Sequence, residues 1–324
     1  MSTPKSASHT GPVRIGLDLG GTKILAKVFT ESYETLGKAK TKTEGHRGVK
    51  SGLKRMVLTI EEALEEAGVS ADQITSIGVG CPGPVNPRTG VLIEAPNLGW
   101  KNVPITEHFS KAFGGVPTVI CNDVDAGIYA EYEMGAGKGS DCVVGIFPGT
   151  GIGAGAVVGG QLLQGAKLSC MELGHIPLGL NGSSLETECS RLKIAIESAR
   201  AAYRGLAPHL LKTCGTDISK ITSGKLADSI ANGDLAIKEI VVTAAKTLGV
   251  GVATVVHLLA PDKIILGGGL VEALPDLFVK HVRKSANAHL IETYRDSFKI
   301  VAAELEDDAG VMGAAAWAAR KSSQ

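Results

Sequence analysis

Asp18-Leu-Gly-Gly-Thr-Lys23 sets two glycines and a hydroxyl between two apolar runs. Gly20 and Gly21 lack a Cβ, so their backbone N–H groups can turn toward an anion and approach it closely. Thr22 adds a hydroxyl donor, and Asp18 stands where a carboxylate could hold a hydrated Mg2+. Taken alone, an ordinary hairpin turn beside an Asp accounts for the stretch equally well. Gly149-Thr-Gly-Ile-Gly-Ala-Gly155 repeats the theme. A dinucleotide-binding fingerprint would have to open a helix. Ala154-Gly-Ala-Val-Val-Gly-Gly160 is instead glycine-broken and β-like, so a second hairpin is expected. A phosphate chain gripped between two such turns explains both, which a structural reading does not.

Two further stretches carry acids. Asn122-Asp123-Val-Asp125 follows an apolar run and opens a helical pattern. Asp125 reads as the helix N-cap. The helix N-terminus favours an ionised Asp123, and such a carboxylate can accept the proton of an attacking hydroxyl. A loose phosphoryl-transfer transition state needs little early deprotonation, so a weak base suffices. Met171-Glu172-Leu-Gly-His175 puts an acid and an imidazole three residues apart, where both could hydrogen-bond neighbouring sugar hydroxyls. In isolation, a surface Glu beside a satisfied His is the better description.

The elements that must position these residues follow from periodicity. Apolar runs predict a hairpin from Arg14, a strand over Ile74–Val79 ending in Gly80-Cys-Pro-Gly-Pro, and a strand over Val116–Cys121. A second hairpin is expected over Cys142–Val158. Leu53, Met56, Val57, Ile60 and Leu64 recur at helical spacing and Gly68 follows as a stop. Further helices are expected over Ile105–Phe113, Val124–Met134, Leu192–Leu211, Gly224–Asn232 and Asp234–Leu259, and from Val271 and Ala309 onward. A strand over Lys263–Leu266 runs into Gly267-Gly-Gly, and another lies near Phe298–Ala302. Helices and strands alternate, so the class is α/β. The strand–turn–strand unit occurs once in each half. This weak duplication puts a domain boundary near Cys121, giving domains at 1–121 and 122–305 with a helix at 306–324 packing back on the first.

Composition narrows the function. The 324 residues suffice for two domains, 44% are apolar and 20% charged, and the formal net charge is zero. No basic field exists to hold nucleic acid by its phosphates. Met1–Pro12 is polar, without the apolar core of a signal peptide. The longest apolar stretch, near Leu248–Ala260, reads as too short to span a membrane. Six cysteines lie singly, with no CxxC pair, as expected of reduced thiols in a cytosol.

In their order and spacing, these motifs resemble the ROK family of sugar kinases and sugar-responsive repressors, its bacterial glucokinases most of all. The resemblance rests on DLGGTK at Asp18–Lys23, APNLGW at Ala95–Trp100, ND at Asn122–Asp123, GTGIGAG at Gly149–Gly155, ELGH at Glu172–His175, LAPDKIILGGG at Leu259–Gly269 and DDAGVMGAA at Asp307–Ala315. It implies two actin-like ATPase (ribonuclease H-like) domains around a cleft, in a cytoplasmic homodimer that uses ATP and Mg2+ to phosphorylate a hexose, glucose first. Asp18, Gly20, Gly21, Thr22 and Lys23, with Gly149, Thr150 and Gly151, would hold the nucleotide phosphates, and Gly267, Gly268 and Gly269 would border the adenosine. Asn97, Asn122, Asp123, Glu172 and His175 would bind the sugar, Asp123 as base. Relatives also use a Glu just after a Cys-rich zinc loop, for which Glu186 is the match and Glu188 a weaker one.

One departure is plain. The family's CxCGxxGC segment is missing, since Ile176-Pro-Leu-Gly-Leu-Asn-Gly-Ser-Ser184 leads from His175 straight to Leu185-Glu186. With Cys170, His175 and Cys189 alone nearby, no zinc site is expected. The rival readings are a sugar-responsive repressor, for which a strand beginning near Arg14 leaves no room for a DNA-binding module, an actin-like ATPase without sugar, and a kinase using polyphosphate or another hexose (fructose, mannose or N-acetylmannosamine).

Overall fold

In the computed structural model, residues 9–166 and 170–323 are described. Strands β1 (Val13–Leu19) and β2 (Lys23–Phe29) form an antiparallel hairpin, with β3 (Thr35–Lys42) at its edge. Helix α1 (Val49–Ala67) buries Leu53, Met56, Ile60 and Leu64, and Gly68 closes it at φ 66°. There its N–H donates back to the carbonyls of Leu64 and Glu65, a geometry open to glycine at little cost. Strand β4 (Ile74–Cys81) runs parallel to β1. A small sheet of β5 (Val85–Asn86), β6 (Val91–Ala95) and β7 (Trp100–Pro104) follows, then α2 (Ile105–Ala112), β8 (Thr118–Asn122) parallel to β4, and α3 (Asp123–Glu133).

The second half repeats the scheme. Strands β9 (Cys142–Pro148) and β10 (Ile152–Val158) form a hairpin, with β11 (Gln161–Leu162) at its edge. Helices α4 (Leu185–Cys189), α5 (Arg191–Tyr203), α6 (Pro208–Cys214), α7 (Ser223–Ala231) and α8 (Leu235–Leu259) precede β12 (Lys263–Leu266). Then come α9 (Gly269–Ala273), α10 (Pro275–His289) and β13 (Lys299–Ala302), and α11 (Ala309–Ser322) is the last described element. The sheet orders are β3-β2-β1-β4-β8 and β11-β10-β9-β12-β13. Each has an antiparallel hairpin on one side and parallel strands on the other, so the suspected duplication is a duplication of whole sheets.

The chain forms two units: residues up to Met134 with Gln164–Cys170 and Asp307 onward, and Gly135–Leu163 with Met171–Glu306. The boundary expected at Cys121 thus moves past α3, and the reason is packing. A Cβ on Gly313 of α11 would sit 1.7 Å from the Ala126 carbonyl oxygen of α3. On Gly16 and Gly78, in β1 and β4, it would meet the carbonyl oxygens of Val311 and Ala314 at 2.0 and 1.8 Å. Helix α11 therefore lies backbone-to-backbone on both the sheet and α3. Tyr129 and Trp317 complete the contact edge to face, with ring centroids 4.9 Å apart. Gly78→Val and Gly313→Val are each expected to cost several kcal/mol, about 3 or more, by forcing these backbones apart. A thermal midpoint unchanged in either variant would contradict that packing.

Three other expectations are corrected. The long helix over Leu192–Leu211 is two helices, since the chain turns at Gly205 and Pro208 starts α6. Pro275 likewise divides α9 from α10. Helix α8, with 25 residues, is long and apolar enough to cross a bilayer, but Ile237, Val241, Leu248, Val252 and Val256 are buried in the core of the second unit.

Candidate active site

In the first unit, the β1–β2 turn is tight. The Gly20 N–H donates to the Lys23 carbonyl at 2.9 Å, and a Cβ on Gly20 would lie 2.9 Å from that same oxygen. Gly20 therefore shapes the turn and does not offer its N–H to an anion, which corrects the role expected for it. Gly21 and Thr22 are the exposed residues. Thr43, just past β3, clamps the turn: its hydroxyl donates to the Gly20 carbonyl at 2.7 Å and its N–H to the Thr22 carbonyl at 3.0 Å. Thr43 is buried, and no local sequence signal marks it, since it merely ends an alternating Lys/Thr run. Lys23 leaves the turn toward Asp307, with 4.0 Å between charged atoms.

Asp18 sits partly buried near the end of β1, with Gly80 and Gly310 leaving it room. Burial first, then the charge of Asp123, raises its pKa from 3.8 to about 6. A cation would relieve that strain, and Mg2+ usually binds through one or two carboxylates plus phosphates and water. The residues therefore fit a hydrated Mg2+ shared with a phosphate chain. Among the described residues, no three His, Cys, Asp or Glu side chains gather as a metal cage.

Asp123 opens α3. Its Oδ1 accepts the Val124 N–H at 2.9 Å, a bond shared with Asn122 Oδ1 at the same distance. Asn122, not Asp125, is thus the N-cap. The Asn122 Nδ2 also donates to the Gly83 carbonyl at 3.0 Å, so this amide ties the helix start to the turn after β4. Asp123 is open to solvent at its surface, yet the protein around it removes enough bulk water to raise its pKa. Asn97 stands exposed on a single 3-10 turn, held by its buried neighbours Leu98 and Trp100. A Cβ on Gly21 would come 3.7 Å from the Asn97 Cβ, so the β1–β2 turn and the Asn97 side chain are neighbours.

In the second unit, the β9–β10 turn has the same construction. The Gly149 N–H donates to the Gly151 carbonyl at 2.8 Å, so Gly149, like Gly20, shapes its turn. Glu186 Oε2 accepts the Ile152 N–H at 2.8 Å. On the other flank, the Arg191 N–H donates to the Gly149 carbonyl at 2.9 Å and its Nη2 to Thr150 Oγ1 at 3.1 Å. A Cβ on Gly151 would lie 2.3 Å from Glu186 Oε2. Because that carboxylate ends a flexible side chain, Gly151→Ala should leave the fold stable while displacing Glu186 from the turn. Nucleotide affinity is expected to fall by roughly tenfold. Calorimetry showing wild-type affinity would count against the turn as a phosphate site.

Glu172 and His175 stand exposed at the two ends of one 3-10 turn, with the His175 N–H donating to the Glu172 carbonyl at 3.0 Å. Met171 before them is held at φ 60°. Glu188 is exposed on the outer side of α4, so Glu186 is the acid that meets the turn. Cys189 ends α4 buried, its Sγ donating to the Leu185 carbonyl at 3.1 Å. Gly267 follows β12, where a Cβ would strike the Phe147 ring at 2.6 Å, and Gly268 (φ 83°) and Gly269 start α9. A strand leading through glycines into a helix is a fit place for a nucleoside to lie against backbone.

Paired sheets of this topology, each with a glycine turn in its hairpin, define the actin-like ATPase fold. The ROK family model matches residues 14–321, and the chain belongs to the ROK family. It is 31% identical over 312 residues to a glucokinase of Thermotoga maritima, spanning 93% of this chain and 95% of that one. Among solved structures it resembles a ROK family glucokinase from Streptomyces griseus in complex with glucose and AMPPNP (29% identity, TM-score 0.78, 95% and 99% of the two chains). It also resembles a ROK hexokinase from Thermus thermophilus (29%, TM-score 0.79, 95% and 98%).

Proposed function

We propose that the chain is an ATP-dependent hexose kinase and that glucose is its sugar. The observation that carries this reading is the Asp123 carboxylate, accessible at the start of α3 and close enough to Asp18 for its charge to help raise the Asp18 pKa. The sugar 6-hydroxyl oxygen forms a bond to the γ-phosphorus, the bond to the β–γ bridging oxygen breaks, and ADP leaves. The hydroxyl proton passes to Asp123. Asn97, Glu172, His175 and Glu186 hydrogen-bond the other hydroxyls, and Asn122 positions the base. Gly21, Thr22, Lys23, Thr150 and Gly151 face the phosphates, and Gly267–Gly269 the adenosine. Magnesium bound with ATP would neutralise charge on the phosphates, with Asp18 holding one of its waters. The glucokinase and hexokinase relatives, aligned over nearly their whole length, support the reading. Release of ADP measured over a panel of hexoses, with ATP and with polyphosphate, tests it. No sugar-dependent ADP release with any hexose would refute it.

The same reading includes a working homodimer in a reducing cytosol and a short loop after His175 that does without structural zinc. Leu185 N–H donates to the Ile176 carbonyl at 3.0 Å, and Ser184 caps α4, so direct bonds already hold the loop that carries Glu186. Purified protein is expected to contain well under about one zinc per chain, and a zinc-selective chelator should leave Mg2+-supported activity unchanged. Stoichiometric zinc whose removal abolishes sugar binding would overturn this.

A further inference from the structure

The guanidinium of Arg191 has no carboxylate partner among the described residues. On the same helix, Lys193 and Arg200 both pair with Glu197, at 3.1 and 3.4 Å. Arg191 is partly buried at the first position of α5 and faces the other way, onto the β9–β10 turn. One of its five N–H donors is used on Thr150 Oγ1 at 3.1 Å, and its backbone N–H is fixed to Gly149 at 2.9 Å. An unneutralised planar cation, held from both ends against an open glycine turn, presents its remaining donors to whatever anion that turn receives. Guanidinium matches phosphate oxygens in pairs, which an ammonium does not.

We propose that Arg191 is a phosphate-binding residue of the donor site: its guanidinium, anchored on Thr150, engages non-bridging oxygens of the β- and γ-phosphates at Gly149–Gly151. The proposal rests on the kinase reading for its choice of ligand. It adds a cation to a second turn that otherwise offers the Gly151 N–H, the Thr150 hydroxyl and the acid Glu186.

The test is calorimetry on the full chain with Mg2+ and AMP, ADP or ATP. Arg191→Gln keeps a donor for Thr150 and the helix start but removes the charge, and Arg191→Lys keeps the charge without the fork. In Arg191→Gln, affinity for ATP and ADP should fall by about 10- to 100-fold while that for AMP holds, with Arg191→Lys intermediate. Heats of sugar binding should match wild type in both, which reports an intact fold. Wild-type ATP affinity in Arg191→Gln overturns the proposal. So does an equal loss for AMP, ADP and ATP, which would make Arg191 a brace for the turn alone. Because the readout is binding, a wild-type chain that binds ATP but phosphorylates no hexose sinks the kinase reading and not this one. A wild-type chain with no ATP affinity overturns both.

Discussion

Asp123→Asn is expected to lower hexose phosphorylation by about 10²- to 10⁴-fold with little change in sugar or nucleotide affinity. The amide keeps the size of the side chain, and its oxygen can still accept the Val124 N–H that now measures 2.9 Å. What it loses is the basic oxygen. The environment strengthens the prediction. Desolvation raises the Asp123 pKa, making the ionised carboxylate a better proton acceptor than a fully hydrated one. As the base, Asp123 would act only when ionised, so kcat/KM should fall on the acid side as pH drops through that raised pKa. The residual activity of Asp123→Asn should lack that limb. Turnover within a few-fold of wild type would exclude Asp123 as the base, and an unchanged acid limb would assign that titration elsewhere.

How much of this was readable in the chain differs between its levels. The glycine turns, the strands flanking them and the duplication of the hairpin follow from local pattern, because apolar runs and glycines report strand and turn directly. The two sheets' strand orders agree with that reading. Strand β3 was missed because Lys38, Lys40 and Lys42 give an edge strand a polar alternation that resembles a loop. The small β5–β7 sheet is hard to read locally because its strands are short and two of them carry Asn or Pro. The site shows a subtler limit. Sequence types nominate Gly20 and Gly149 as anion ligands, but which glycine spends its N–H inside the turn depends on closing bonds to Lys23 and Gly151. Thr43 and Arg191 act through contacts 23 and 41 residues away in the chain, and no local spacing announces those. Asn122 and Asp125 exchanged capping roles for the same reason: either can cap a helix, and the bond to Gly83 decides.

Asp18→Asn should stabilise the first unit in the absence of ligands while removing Mg2+-dependent activity. In the folded chain Asp18 keeps its proton up to about pH 6, against an ordinary value of 3.8. Between those values the folded state binds more protons than the unfolded state. Stability therefore falls as pH rises through that window, and the full penalty stands above about pH 6. The difference corresponds to at most about 3 kcal/mol, carried by an ionised carboxylate buried beside Asp123. Asparagine carries no such charge, so Asp18→Asn should resist urea better than wild type at about pH 8 and converge with it at about pH 4. Both tryptophans, Trp100 and Trp317, are buried in this unit, so their fluorescence reports its unfolding directly. Activity should move the opposite way, because the charge that weakens the empty unit is the one a Mg2+-bound phosphate chain would neutralise. Saturating MgATP should accordingly stabilise wild type more than Asp18→Asn. A variant less stable than wild type at about pH 8 would show that Asp18 serves the fold, and equal stabilisation of both by MgATP would remove it from the nucleotide site.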